Sequence, residues 1–234
     1  MACPRIFASG FRTTQRHPAW RVPVYHRFAS LQSYSAAMST ITDALTRDHR
    51  EIERYYDETV NSTDQDHQQR FGNQFTWELA RHSVAEELIV YPAFEKYLGA
   101  KGKDMAEKDR KEHHKVKEFL KEFQNMKPSD AQYTSKLKRL METLSQHIKE
   151  EESDDIPALE KVLREDAINE GISESLATSF ARTKMLVPSR SHPSAGEHPP
   201  FETVMGLLTA PIDHIGDIFR KFPNKTMSPN PSTK

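Results

Sequence analysis

Four stretches of the chain repeat apolar positions every three or four residues, the spacing of helices with one buried face. In the first, about residues 41–60, Ile41, Leu45, His49, Ile52 and Tyr56 share a stripe. Thr42 or Ser39 suits its cap, and Asp43 sits well near the positive helix end. The second begins near Asp66 and aligns Phe71, Phe75, Leu79, His82, Glu86 and Ile89. Pro92 predicts a kink there, because proline lacks the amide donor and crowds the preceding turn. Leu98 and Gly99 predict its end, with 99–103 as a short loop. The third, about 104–126, aligns His113, Val116, Leu120 and Phe123. The fourth follows a Pro128-Ser129-Asp130 break, with Ser129 or Asp130 as cap, and aligns Leu137, Leu140, Leu144, His147 and Glu151.

The polar residues on these apolar stripes carry the chemical information. A carboxylate on a buried face is costly unless it is paired or bound to a metal. Glu86 and Glu151 each follow a histidine by one turn, His82 and His147, so each pair can grip one ion. His49 and His113 arrive in phase from the other two helices. A single such histidine reads as an ordinary core residue. Four of them on four helices, two with a carboxylate one turn later, read as an interior metal site of the kind helical bundles hold. The candidate metal residues are therefore His49, His82, Glu86, His113, His147 and Glu151. His114 is in phase with Lys117, Glu118 and Lys121 and is expected outside, although a slightly rotated helix exchanges it with His113. Glu152, at i+5 from His147, is an alternative to Glu151. Glu87 lies off its stripe and reads as a solvated or supporting carboxylate. Mixed nitrogen and oxygen donors suit iron, and zinc or manganese fits the same atoms.

Composition agrees with a helical protein. Of 234 residues 36% are hydrophobic and 8 are glycine, as expected of one domain with a modest core and extensions. No apolar run approaches the ~20 residues of a membrane span, and the single cysteine, Cys3, excludes an internal disulfide framework or a CxxC site. Residues 1–42 hold Arg5, Arg12, Arg16, Arg21 and Arg27 with no lysine and no acid. Taking those five from the 33 Lys and Arg leaves 28 against 34 acids, a balance that argues against nucleic acid as partner. Residues 1–40 read as a disordered leader with the Arg-rich, acid-poor character of a mitochondrial (matrix) transit peptide. Translation from Met38 would instead leave a cytoplasmic form.

Residues 41–163 are expected to form the bundle and 164–234 a helical extension and tail. In the latter, 167–187 can form a helix contacting the bundle through Ile172, Leu176, Phe180 and Leu186. A Pro- and Ser-rich linker spans 188–200. Residues 201–222, with Leu208, Ile212, Ile215, Ile218 and Phe219, are expected to fold back onto the domain. His192, His198 and His214 fall outside the ligand pattern. No G-x-S-x-G, Walker A, G-x-G-x-x-G or H-E-x-x-H sequence occurs, so any enzymology must come from the metal site.

The segments Asp48-His49-Arg50-Glu51-Ile52, His82-Ser83-Val84-Ala85-Glu86-Glu87, Glu112-His113-His114-Lys115-Val116 and His147-Ile148-Lys149-Glu150-Glu151-Glu152 resemble the hemerythrin-like (HHE cation-binding) family, in family order over roughly 41–163. The style of the tail is similar to that of fungal members. The resemblance implies an up-down four-helix bundle with a non-haem di-iron centre, Glu86 and Glu151 bridging the irons and the histidines capping each side. Oxygen carriers of the family have two ligating histidines one turn apart on the third helix. Here Lys117 stands four after His113 and Asp109 four before it. That departure puts reversible oxygen storage in doubt and favours oxygen, nitric oxide or peroxide meeting an open iron position. The expected function is binding or sensing of oxygen, nitric oxide or iron. The alternatives are a di-iron enzyme reducing peroxide or nitric oxide, with Tyr56 as redox neighbour, and a metal-stabilised structural bundle. A ferritin-like centre is excluded, since no histidine has a glutamate three residues before it.

Overall fold

In the computed structural model the described residues are Met1, 39–195 and 201–224, without the side chains of 195 and 201–207. All of the leader but Met1, Ser39 and Thr40 lies outside them, as does His198. Helix α1 (Ile41–Asn61) starts from Thr40, one residue after Ser39 and two before Thr42, the expected caps. The Thr40 hydroxyl accepts the Asp43 amide at 3.2 Å while Asp43 accepts the Thr40 amide at 3.0 Å, a reciprocal capping box. Asp64 caps α2 (Gln65–Ala85) by accepting the Asp66 amide at 2.9 Å.

Beyond Ala85 the backbone widens into a π turn, Glu86–Val90, before α3 (Tyr91–Phe123). The same happens after α4 (Tyr133–Glu150), where a π turn, Glu151–Asp155, leads into α5 (Ile156–Glu165). The amides of Tyr91 and Ile156 donate to the carbonyls of Glu86 and Glu151, five residues back. Pro92 and Pro157 follow at once. Widening the turn draws away the carbonyl that a proline ring would strike, so the expected kink at Pro92 becomes a change of helical register. The extra residue moves the buried stripe along by one: Val90 and Tyr91 are fully buried and Ile89 only partly. Both segments read H-x-x-x-E-E-x-x-x-x-P, from His82 to Pro92 and from His147 to Pro157.

Gly99, at φ 62° and ψ −131°, breaks α3 into 91–98 and 100–123. The expected loop 99–103 is thus one residue long, in a conformation only glycine adopts readily. Helix α4 begins three residues later than Asp130, which instead accepts the Lys127 amide at 2.8 Å in the preceding loop.

Two apolar clusters fill the interior. One gathers Ile52, Phe75, Leu79, Leu120, Phe123, Leu137, Leu140 and Leu144. The other gathers Ile41, Leu45, Val90, Tyr91, Phe94, Ile156, Leu159 and Phe180. Along all four helical runs the histidines and glutamates fall between members of the two clusters, as His49 falls between Leu45 and Ile52. Each fully buried aliphatic or aromatic side chain contributes about 1.5–3 kcal/mol, so the polar layer is set between well-stabilised ends.

Helix α6 (Ile172–Lys184) packs against the bundle through Phe180, while Leu186, expected as a contact, is 71% exposed. Part of the expected linker is buried: the Ser191 hydroxyl donates to the Lys117 carbonyl at 2.6 Å, and Arg190 to the Gln124 carbonyl at 3.1 Å. Helix α7 (Phe201–Asp217) departs further from expectation. It does pack back, but on its polar side. Asp213 and Asp217 are buried and accept from His192 Nε2 at 2.9 Å and Ser189 Oγ at 2.6 Å, whereas Leu208, Ile212, Ile215 and Phe219 are exposed. Among the described residues there is no strand, and no helix is long and apolar enough to cross a membrane.

Candidate metal centre

The structure brings all six candidate residues together in the layer between the two apolar clusters. His49, His82, Glu86, His113, His147 and Glu151 are each at most 2% exposed. His114, one residue from His113, points away to Glu118 with its side chain 43% exposed.

Each histidine places one nitrogen against a supporting carboxylate and the other in the interior. Glu152 meets His49 Nδ1 at 2.9 Å, and Asp48 faces His82 Nδ1 at 3.4 Å. Glu87 meets His113 Nδ1 at 3.1 Å and Glu112 meets His147 Nδ1 at 2.9 Å. An ionised carboxylate only accepts, so in His49, His113 and His147 a proton resides on Nδ1 and Nε2 is the atom left to bind an ion, while His82 Nδ1 faces Asp48 without a hydrogen bond. These carboxylates are the sequence neighbours of the candidates: Asp48 precedes His49, Glu112 precedes His113, Glu87 follows Glu86 and Glu152 follows Glu151. Each thus serves a histidine on another helix. Glu87 is fully buried, which excludes the solvated reading, and Glu152, its side chain 24% exposed, meets His49 at Nδ1 and not at Nε2.

The inner atoms converge. His82 Nε2 lies 3.1 Å from Glu86 Oε2, His113 Nε2 3.4 Å from the same oxygen, and His49 Nε2 3.9 Å from Glu86 Oε1. Glu151 Oε2 is 3.5 Å from both His49 Nε2 and His147 Nε2. Two three-residue groups have spacings that suit an ion, His49–His82–Glu86 and Glu86–His113–His147, with Glu86 common to both.

The donor atoms fit metal ions better than they fit one another. Neither oxygen of Glu86 or Glu151 has a hydrogen-bond partner, and neither does His49 Nε2, though all are buried. Such orphaned groups are costly in a folded interior. His113 Nε2 and His147 Nε2 lie 2.9 Å apart, where two lone pairs repel unless a cation or proton lies between them. Ions with bonds of ~2.0–2.2 Å to nitrogen and oxygen place adjacent donors ~3 Å apart, close to the shorter of these separations.

Electrostatics give the same picture. Burial, reinforced by the charge of Glu151, pushes the Glu86 carboxyl well above the usual range. Burial also pushes His82 down to about 4. It opposes the charge on His147 too, but there Glu151, Glu112 and Asp109 outweigh it and raise the ring to about 9. Protons stand in for missing positive charge, and a divalent ion would displace them.

Two further groups border the cluster. Tyr91 Oη lies 3.0 Å from His113 Nε2, and its ring is fully buried. Tyr56, the expected phenol, is only partly buried and packs against the first apolar cluster, away from this layer. The register shift of the first π turn is what carries Tyr91 inward. Asp109 is 1% exposed, and neither of its carboxylate oxygens has a partner.

The family described as "Hemerythrin HHE cation binding domain" matches residues 40–159. An uncharacterised hemerythrin-like protein of Schizosaccharomyces pombe is 51% identical over 196 residues, covering 84% of this chain and 94% of that protein. A DNA nickase of a Nostoc species is 25% identical over 150 residues, covering 64% of this chain and 40% of the nickase. No solved structure matches the chain significantly. With the family match spanning half the chain and a relative at 51% identity along most of it, the chain belongs to the hemerythrin HHE cation-binding domain family.

Proposed function

We propose that this chain is a non-haem di-iron protein that binds or senses oxygen, nitric oxide or iron at the His/Glu centre. The observation that carries this reading is the convergence of four Nε2 atoms and two partnerless carboxylates in a layer closed to water. His49 and His82 would hold one ion, His113 and His147 the other, with Glu86 and Glu151 between them. Iron bound there supplies redox chemistry and coordination positions beyond those the protein fills. The Nδ1–carboxylate hydrogen bonds of His49, His113 and His147 fix ring orientation and tautomer. The test is metal content of anaerobically purified protein, paired with absorption after air is admitted. About two irons per chain with new near-ultraviolet bands is the expected result; a single tightly held zinc would leave only a structural role.

A second reading, reduction of peroxide or nitric oxide, is favoured by Tyr91. Its hydroxyl, 3.0 Å from His113 Nε2, can donate a hydrogen bond or proton to a small ligand on that side of the centre. Turnover of either substrate by the iron-loaded protein, lost in Tyr91→Phe with iron content unchanged, would select it. Nickase activity is not carried over: that relative is distant, and residues beyond the leader carry more acids than bases. The arginine-bearing leader supports import into mitochondria. A mature amino terminus between Met1 and Met38 in mitochondrial protein is the expected finding, and chains beginning only at those two methionines would oppose it.

A further inference from the structure

The carboxylates behind the histidines are each matched by a cation. Arg50 holds Glu152, Lys184 holds Asp48, Lys117 holds Glu87, and Lys108 faces Glu112 at 3.9 Å. Asp109 has no such match. It lies on α3 one turn before His113, is 1% exposed, and neither oxygen accepts a hydrogen bond. Nor is it remote from the centre. One of its oxygens is within 4.8 Å of a His147 ring nitrogen, and its charge bears on Glu86 and Tyr91.

A buried carboxylate without a donor is strongly disfavoured unless something positive reaches it. The charge count of the centre supplies that something. Two divalent ions bring four positive charges, while Glu86 and Glu151 return two negative ones and neutral histidines none. Asp109 is a buried acid beside His147 that no lysine or arginine holds by a hydrogen bond, and it has no hydrogen bond to break in turning towards an ion.

We propose that Asp109 is a seventh protein ligand, giving a carboxylate oxygen to the divalent ion held by His113 and His147. The inference rests on the reading that the centre takes two metal ions. It makes the two positions unequal. On the His49–His82 side the added neighbour is the apolar ring of Phe180, edge-on to His82 at 5.9 Å. On the other side it is an oxygen donor.

The experiment uses the full chain, stripped of metal and titrated with Co²⁺ in competition with a chelator, recording stoichiometry, affinity and visible absorption. Wild type is compared with Asp109→Asn, which keeps the shape and removes the charge, and with Asp109→Ser should the amide not be accommodated. The expected result is two Co²⁺ in the wild type. In the variant one of the two should bind roughly tenfold or more weakly, with an altered visible spectrum and a metal-free melting temperature no lower than wild type. Two Co²⁺ bound by the variant with wild-type affinity and spectrum would overturn the role of Asp109 alone. Failure of the wild type to take two ions would overturn the two-metal reading beneath it.

Discussion

The imidazole of His49 donates from Nδ1 to Glu152, 103 residues away in sequence, at 2.9 Å. Glu152 in turn is held by Arg50. The neighbour of one candidate ligand, Glu151, therefore orients another candidate on a different helix.

This pairing separates two adjacent glutamates by experiment. Glu151→Ala is expected to lose at least one metal equivalent per chain. Glu152→Ala should keep both equivalents and weaken binding by roughly 10–100-fold, the usual effect of removing a group that orients a ligand. Equal loss in both, measured by metal analysis and chelator competition, would mean that Glu152 itself binds.

The stripes that reveal this site were legible because burial repeats at helical spacing, and His49, His82, His113 and His147 obey it as strictly as the leucines beside them. The supporting carboxylates were not, except that Glu87 already read as either solvated or supporting. Asp48, Glu112, Glu87 and Glu152 sit about 100° off the stripe, where charged residues normally meet water, and only tertiary packing turns them towards a ring on the next helix. The π turns had a signal that periodicity misses, the shared H-x-x-x-E-E-x-x-x-x-P spacing ending in proline. Helix α7 misled for a different reason: its apolar stripe looks like a core face, and the buried partners are Asp213 and Asp217 on the opposite side.

Lys184 carries its charge into the interior between Asp48 and Glu78, and the two acids depend on it. Lys184→Met should destabilise the metal-free protein by about 3–5 kcal/mol in urea unfolding, since it strands two buried carboxylates. Adding Glu78→Leu should recover part of that loss. A single substitution within 1 kcal/mol of wild type would show that water, not Lys184, serves these acids.

Two nearby glycines should respond unequally to alanine. At Gly99 a Cβ meets nothing within 4 Å, so only the backbone conformation is penalised, about 1–3 kcal/mol. At Gly102 a Cβ would lie 1.9 Å from the Phe94 carbonyl oxygen and must push the backbone apart. Thermal melts should rank Gly102→Ala below Gly99→Ala, and the reverse order would contradict the close approach of the two α3 segments.

Asp109 gives the metal-free protein a pH dependence. Burial, with the charge of Glu151, raises its carboxyl from 3.8 to about 8. The folded chain thus holds a proton that the unfolded chain releases, and the associated stability is present below pH 4 and is lost as pH rises towards 8. Asp109→Asn should remove this component, so that its stability relative to wild type improves by on the order of 2 kcal/mol between pH 4 and 8. Parallel stability–pH curves for the two proteins would count against it.

The family match ends at residue 159, yet the fold does not. Ser173 accepts the first amide of α1 at 3.0 Å, Phe180 lies against His82, and Lys184 neutralises Asp48 behind that same ring. A chain cut after the fourth helical run would lose all three at once, next to one half of the metal centre. The packed fold of this protein extends past its recognisable motif, and a truncated domain would be a poor witness to any metal binding by the whole.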